Sequence, residues 1–509
     1  MSDDERARSG RPRPLFSLAE VAAITRGRVV DGRAEELAGV VVTGVEVDSR
    51  FVRAGDLFGA LAGERVDGHS FVERALDAGA VGALVTRDPG PKAHRTGRHL
   101  LAVPDVVKAL GQLAKHHRDR FSLPIVAVTG SVGKTTTKDL IASVLGSSRR
   151  VLANRGNLNT DIGLPLTLFE LGPEHQVACL EMGMRGAGEI ARLAELARPV
   201  VGVITNVGPV HIELLGSVPA IARAKEELLW ALPREGTAIL NGDDPILAGL
   251  AAGHRSRLAR VIIYGLDQPA DLSAEELASL PDGGMSFGVV HEGLALGRFS
   301  LPLAGRHSAL NALAALAVGL SLGLDPEAMR AGLARPRLSA MRQEIIDRGG
   351  VRVINDAYNA GPASMTASLE LLTGTRAGRG GRAVAVLGDM LELGELTEAA
   401  HRDLGRATAA AGLDYVIAVG PRSATLAEEA RRGLGEGKVT HFGPGVADPN
   451  HEAAALALRL LQPGDTVLVK ASRGMKFEEI VGRLLGGLER AGLKQRKADP
   501  KQRKGGDSQ

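Results

Sequence analysis

The stretch Ile125 to Thr137, IVAVTGSVGKTTT, constrains the fold more than any other part of the chain. A short apolar run rich in β-branched residues passes directly into a glycine-spaced loop that ends in Lys-Thr and opens a helix. That order is a phosphate cradle. Gly130 and Gly133, with Ser131 and Val132 between them, let backbone N–H groups turn inward, and the helix opening at Lys134, Thr135 and Thr136 adds its positive end. Lys134 can reach the outer phosphates and the Thr135 hydroxyl can ligate Mg²⁺, so ATP or GTP is the expected ligand. The spacing departs from the common GxxxxGK[ST] form, because Val128 stands where the first glycine belongs and the glycine comes two residues later.

At 509 residues the chain exceeds one compact core, and at roughly 100 to 200 residues per domain it predicts three units. The net charge of +3 and the 3% aromatic content argue against a nucleic-acid surface, since single-strand binding needs a basic groove and stacking platforms. Cys179 is the only cysteine and lies in an apolar run, which excludes an internal disulfide or a cysteine-based zinc site and fits a reducing cytosol. The opening MSDDERARSGRPRP carries no apolar signal core, and the longest apolar stretch, Ala309 to Leu324, is broken by Asn311, Gly319 and Ser321. No transmembrane segment is expected, and the chain reads as soluble, cytoplasmic and monomeric.

Residues 1–105 form the first unit, with short strands at Gly39 to Val47, Ala80 to Val85 and Leu100 to Val103 alternating with helix patterns. Asp105 then reads as the N-cap of an amphipathic helix with Val106, Ala109, Leu110, Leu113 and His117 on one face. Residues 106–340 form the nucleotide unit. Its strand candidates Val177 to Glu181, Val200 to Asn206 and Thr237 to Asn241 are each followed by a helix pattern, which predicts a largely parallel sheet. Asp282 to Gly297 reads as a β-hairpin insertion, His307 to Leu322 as the closing helix and Pro336 to Arg342 as a hinge. Residues 341–491 repeat a Rossmann-like order, with strands Val351 to Asn355, Ala383 to Leu387, Tyr415 to Val419 and Thr466 to Val469. The basic, aperiodic residues 492–509 read as a disordered tail.

Several polar groups stand where a parallel sheet would deliver them to the cradle. Glu181 ends an apolar strand and is a Mg²⁺ ligand candidate, or else a solvated strand-end carboxylate. His211 follows a strand end in ITNVGPVHIELLGS, where it could ligate a second metal or simply pack. Lys225 lies in AIARAKEELLW among carboxylates, and a surface i,i+4 ion pair is its default explanation.

The shorter cradle TGxxGKT[ST] is the signature of ATP-dependent amide ligases that form acyl phosphates. TGSVGKTTT, NRGNLNTDIGLPLTL, LEMGM, TNVGPVHIELLGS, ARAKEELL, GRHSALNALAALAV, NDAYNAGPASM, VLGDMLELGE and VKASRGMKFE together resemble the Mur ligase family in order and spacing. The resemblance covers about Leu15 to Leu488. It implies an α/β fold of three domains: a uridine-nucleotide N-terminal domain, a central P-loop ATPase domain on a parallel sheet, and a Rossmann-like C-terminal domain. Within the family, DAYNAxPxSM paired with VLGDMLELGE and KASRGMKFE resembles the member that joins D-alanyl-D-alanine to UDP-MurNAc-tripeptide.

The resemblance also implies roles. Lys134 and Thr135 would hold ATP phosphates and Mg²⁺, and Glu181 and His211 would hold metal where the acyl phosphate forms. Lys225 would be a carbamylated lysine, Asn311 would lie near adenine, Arg342 would reach the phosphates and Asp356 the ribose. Ser49, Arg50, Asp67, Gly68 and His69 fall in motifs of the uridine domain, and Asn157 falls in the NRGNLNTD run. Asn359 and Lys470 resemble parts that face the incoming dipeptide. Gly361 stands where the family usually has a second asparagine. A folylpolyglutamate synthase-like ligase would share the cradle without the first domain, and a nucleotide switch would have no reason to gather Glu181, His211 and Lys225. Closure is expected about hinges near Val103 and Arg342.

Overall fold

The computed structural model describes residues 13–30, 34–63, 66–94, 98–210, 212–280, 283–377 and 380–498. Three sheets of five, nine and six strands follow one another along the chain, with a two-stranded ribbon at Phe16–Ser17 and Val41–Val42. The first sheet runs Arg28–Val29, His99–Ala102, Gly82–Val85, Asp56–Gly59, Gly44–Glu46, parallel except at its Arg28–Val29 edge. The expected strand Gly39 to Val47 is split in two at Thr43, whose N–H bonds Gly55 O at 2.8 Å. The amphipathic helix forms as read: Asp105 accepts from the Lys108 N–H, and Val106, Ala109, Leu110, Leu113 and His117 are all buried.

In the central sheet the cradle strand Ile125–Thr129 lies between Val177–Glu181 and Val201–Ile204, both parallel to it. Every residue of these three strands is buried, as befits a sheet covered on both faces. The register sets Glu181 beside Val128 and Ile204 beside Thr129, so both neighbours end level with the loop. The chain leaves the cradle strand toward Val151–Ala153 on one side and later returns on the other, which makes a topological switch point at its carboxyl end.

Two strands here run against local propensity or extend the expectation. Leu272–Ser279, LSAEELAS, is rich in helix formers yet pairs with Met285–His291 on both sides of a bulge at Glu276 and Leu277, because the hairpin supplies a ladder that intrinsic preference does not oppose strongly. The expected hairpin, Met285–His291 with Leu294–Leu301, is therefore the antiparallel edge of the main sheet rather than a free insertion.

The third sheet, Glu344–Arg348, Val351–Asn355, Thr466–Lys470, Ala383–Gly388, Tyr415–Val419, Val439–Phe442, is parallel apart from its first strand. The last helix, Glu478–Ala498, runs into the stretch read as a tail, since Lys, Gln, Arg and Ala propagate a helix already started by buried residues such as Ile480 and Leu484. Residues 499–509 lie outside the described residues. Among the described residues no helix is long and apolar enough to cross a membrane.

Candidate active site

Two glycines shape the cradle for different reasons. A Cβ on Gly130 would lie 1.9 Å from Thr205 Oγ1, so the close approach of the neighbouring strand end excludes any side chain. Gly133 has φ +82° and caps the helix Lys134–Gly146, and its missing Cβ makes room for Asn311 Oδ1 at 2.9 Å. The loop is pinned by the segment after Ile204. Asn206 accepts the Val132 N–H at 2.8 Å and donates to Val132 O at 3.0 Å, while Thr205 Oγ1 also donates to Val132 O at 2.6 Å. Ser131 N–H bonds Asn206 O, and Ser131 Oγ exchanges hydrogen bonds with Gly208. The Val132 N–H is thus spent on shaping the loop. Among the described residues nothing takes the N–H groups of Gly133, Lys134, Thr135 or Thr136, which leaves the first helical turn to meet phosphates.

Lys134 curls back on the loop, donating to Gly130 O at 2.8 Å and Ser131 O at 3.1 Å. Burial holds its pKa below the usual lysine value, Glu181 opposes that, and the nearby Arg342 guanidinium adds to it. Thr135 donates to Glu181 Oε2 at 2.5 Å, joining the two groups read as Mg²⁺ ligands. Glu181 is buried, not a solvated strand end, and it is held from both sides. Asn159 Nδ2 donates to its Oε1 at 2.7 Å, and Asn154 brackets its backbone at 2.8 and 3.1 Å. These two asparagines are the functional neighbours that the NRGNLNTD run contained and sequence reading passed over in favour of Asn157, which is exposed. The signal for them would have been the i, i+5 asparagines opposite a buried strand end.

Lys225 overturns its surface explanation. It is 2% exposed, and its neighbours Glu226 and Glu227 are occupied elsewhere. Glu226 meets His254 at 2.9 Å, and Glu227 accepts the Gly188 and Ala191 N–H groups at the start of the neighbouring helix Glu189–Ala197. Burial, reinforced by the Lys134 charge, drives the Lys225 pKa well below the ordinary value. His211 lies outside the described residues.

The third sheet delivers its own groups to the same cleft. Arg342 Cζ lies 4.0 Å from the centre of the Tyr358 ring, with Arg473 5.7 Å from that ring. Among the described residues the buried Arg342 Nε has no hydrogen-bond partner, which suits a group that receives an anion. Burial raises the Tyr358 pKa, with Arg342 opposing and Glu181 assisting. Asp356 and Lys470, read as separate ribose and dipeptide contacts, are paired with each other at 2.6 Å. Asp356 also accepts from Ser368 at 2.6 Å, and Lys470 donates to Asn359 O at 3.0 Å. Asn359 itself is exposed, and the Cβ position of Gly361 faces open space, so sterics do not demand glycine there. Asn311 accepts from Thr137 Oγ1 at 3.1 Å against the cradle helix.

In the first unit the expected substrate residues are held in place by contacts within the fold. The Asp67 carboxylate accepts the His69 N–H at 2.9 Å and holds Arg87, and its pKa is depressed, chiefly by that N–H. His69 is buried, with Nδ1 on Asp67 and Nε2 accepting the Thr86 N–H at 2.9 Å. Gly68 lets the chain pass Leu61, whose backbone O would be 2.5 Å from a Cβ. Arg50 forks onto Asp48 at 2.9 and 2.6 Å, and Ser49 is buried beside it.

A cradle, a buried Thr–Glu pair and a buried lysine at the carboxyl end of a parallel sheet, faced by Arg342 and Arg473 of the third unit, belong to a chain that matches known proteins over most of its length. Residues 41–118 match the Mur ligase family catalytic domain, 128–319 the Mur ligase middle domain and 341–473 the Mur ligase glutamate ligase domain. The chain belongs to the Mur ligase family. It is 37% identical over 472 residues to UDP-N-acetylmuramoyl-tripeptide–D-alanyl-D-alanine ligase of Bacillus subtilis, covering 92% of this chain and 98% of the relative. Among solved structures it resembles MurF from Acinetobacter baumannii, with a TM-score of 0.80, 32% identity and coverage of 94% and 100%. MurF ligase from Thermotoga maritima in complex with ADP gives a TM-score of 0.73 at 29% identity, over 88% of this chain and 98% of that one. As a Mur ligase, the chain has the three-domain α/β architecture expected of it.

Proposed function

We propose that this Mur ligase joins D-alanyl-D-alanine to UDP-MurNAc-tripeptide at the expense of ATP, giving UDP-MurNAc-pentapeptide for peptidoglycan. The observation that carries the reading is the Thr135–Glu181 pair on the cradle, within a chain that matches the Bacillus subtilis ligase over 98% of its length. The tripeptide carboxylate attacks the γ-phosphorus of ATP, an O–P bond forms and ADP leaves. The amine of the dipeptide then attacks the acyl carbon, phosphate departs and a proton is lost as the amide forms.

The first step brings two anions together, and the chain supplies the opposing charge. Lys134 and the first-turn N–H groups receive the phosphates, and Arg342, stacked on Tyr358, faces them from the third domain. The oxygen donors of Thr135 and Glu181 fit Mg²⁺, which keeps water and phosphate among its ligands and needs few protein groups. When bound, Mg²⁺ screens the phosphate charge, and His211 would complete its setting.

Lys225 is proposed to be carbamylated. Its low pKa leaves a neutral amine that can add to carbon dioxide with loss of a proton, and the product carboxylate removes the repulsion from Lys134. Ser49, Arg50, the Asp67 to His69 turn and Asn157 are proposed to border the uridine nucleotide, Asn311 and Asp356 the nucleoside of ATP, and Asn359 with Lys470 the dipeptide. A cytoplasmic monomer suits these soluble substrates.

Phosphate release with ATP and Mg²⁺, measured with both substrates and with each omitted, tests the reading. Release requiring both, and a product heavier by one condensed dipeptide, is expected. Turnover on single amino acids or folates without the dipeptide would overturn the substrate assignment. For Lys225, Lys225→Ala should lose about 10²- to 10³-fold in kcat and recover in part with a short carboxylate, a rescue that a purely structural lysine would not show.

A further inference from the structure

The loop after the third-domain strand Ala383–Gly388 carries no substrate role so far, yet it is where that domain touches the metal-side loop of the central domain. The Gly394 N–H donates to Glu213 Oε1 at 2.5 Å across the domain boundary. Glu213 lies two residues beyond His211, in the short helix Ile212–Leu215 that precedes the Lys225 helix. Gly394 opens the 3-10 turn Gly394–Leu396 that runs directly into the helix Thr397–Ala410, and neither start has a side-chain cap of its own. A carboxylate from the opposite domain therefore sits at the positive end of that helix. Gly394 has φ +54°, and a Cβ there would lie 2.9 Å from Glu213 Cγ, so both backbone shape and space are fitted to the contact. The same loop is tied to the dipeptide side: Ser472 Oγ accepts the Leu391 N–H at 2.9 Å and donates to Ala360 O at 3.2 Å, between Asn359 and the Lys470 loop. Leu214 and Leu396, beside the bonded groups on the two domains, are 62% and 40% exposed, leaving apolar surface on both sides that fuller closure would bury.

The geometry points to Glu213 as a positioning residue that latches the third domain onto the central one through Gly394, and so brings the dipeptide amine to the acyl phosphate before water reaches it. This rests on the ligase reading above. The latch makes no contact with ATP, and its loss falls on the second half-reaction, where an open cleft lets the acyl phosphate hydrolyse.

The test compares full-length wild type, Glu213→Ala, Gly394→Ala, the double variant and Glu213→Gln, with thermal unfolding as a control for folding. Both single variants should raise phosphate released per pentapeptide formed from one to roughly threefold or more, and raise the dipeptide KM roughly tenfold, with the ATP and tripeptide KM within about twofold. The double variant should be no worse than either single one, since both remove one contact. Glu213→Gln, which keeps the accepting oxygen, should recover most of the coupling. Unchanged coupling in Glu213→Ala, additive losses in the double variant, or equal rises in all three KM values would overturn the latch. A wild type that makes no pentapeptide would instead overturn the ligase reading itself.

Discussion

The two joints between domains are built on opposite physics. At the first, one continuous apolar cluster runs from Leu15 and Phe16 through Leu110 and Leu113 into Leu168, Phe169, Leu180 and Leu240 of the central domain. Phe16 and Phe169 meet edge to face at 6.2 Å, and His117 meets Phe16 and Phe121 edge to face at 6.0 and 5.2 Å. At the second, the cores of the third domain stay separate from those of the central one, with Ala304 the single partly buried central-domain hydrophobic packed against them among the described residues. The joint is polar and backbone-led: Arg337 N–H bonds Ser143 Oγ at 2.9 Å, Ser339 N–H bonds Asp139 at 2.7 Å, and Gln343 meets His307 at 2.7 Å. Met341 and Gln343, on either side of Arg342, both have left-handed φ. The expected hinge near Val103 therefore falls in a shared core, while the linker from Pro336 is anchored as far as Ser339, which confines bending to the residues around Arg342. A joint that must open is one that buries little.

The largest effect should come from cutting the first joint. Phe169→Ala removes a buried ring from the shared cluster and should cost about 3–5 kcal/mol in denaturant unfolding, as one transition for the first two domains. Two resolved transitions would mean the first joint is no more welded than the second. Acid should probe the same place. His117 donates from Nε2 to Leu171 O at 3.0 Å, its buried Nδ1 has no partner among the described residues, and burial pushes its pKa down to about 4. The imidazole is neutral in the fold but protonates in the unfolded chain below about pH 6.5, so its contribution is complete above that pH and is lost as pH falls toward 4. The loss amounts to about 3 kcal/mol. His117→Phe, at a cost of about 1 kcal/mol at neutral pH for the lost hydrogen bond, should flatten the stability profile across that window. An unchanged acid limb would place the titrating group elsewhere.

The second joint should answer in catalysis instead. Tyr358→Leu removes the platform under Arg342, worth about 1 kcal/mol, so the ATP KM should rise roughly fivefold while the unfolding midpoint holds. A large stability loss would show Tyr358 to be core rather than platform.

What the sequence disclosed follows the same division. Strands covered on both faces, such as Val177–Glu181, Thr237–Asn241 and Tyr415–Val419, were legible to the residue because nearly continuous apolar runs bounded by turn signals favour a buried strand. The cradle was legible because its chemistry is local in sequence. Lys225 was not, since burial is a property of what packs over a helix and the carboxylates beside it point to other partners. Nor was the Asp356–Lys470 pair, whose members are far apart in the chain and meet only when the strands Val351–Asn355 and Thr466–Lys470 align. Glu213 carries no signal of its own in the sequence, because its partner is a backbone N–H far away in the third domain.

The smallest effect on stability should come from the linker itself, and its smallness is the informative part. Met341 and Gln343 each hold a conformation that costs a side-chain-bearing residue about 1 kcal/mol, and glycine at both would relieve it. Glycine also loosens the unfolded chain by about 0.4–1 kcal/mol per site, so the two terms nearly cancel and the unfolding midpoint should move by less than about 1 kcal/mol. What changes is stiffness. The left-handed pair fixes the direction in which Arg342 leaves the linker, and Tyr358 N–H bonds Met341 O at 3.2 Å as part of the same turn. The double glycine variant should therefore exchange its amide hydrogens faster near Arg342 and turn over more slowly, with the first joint untouched. If exchange quickens equally around His117, the two joints are coupled and the contrast between them fails.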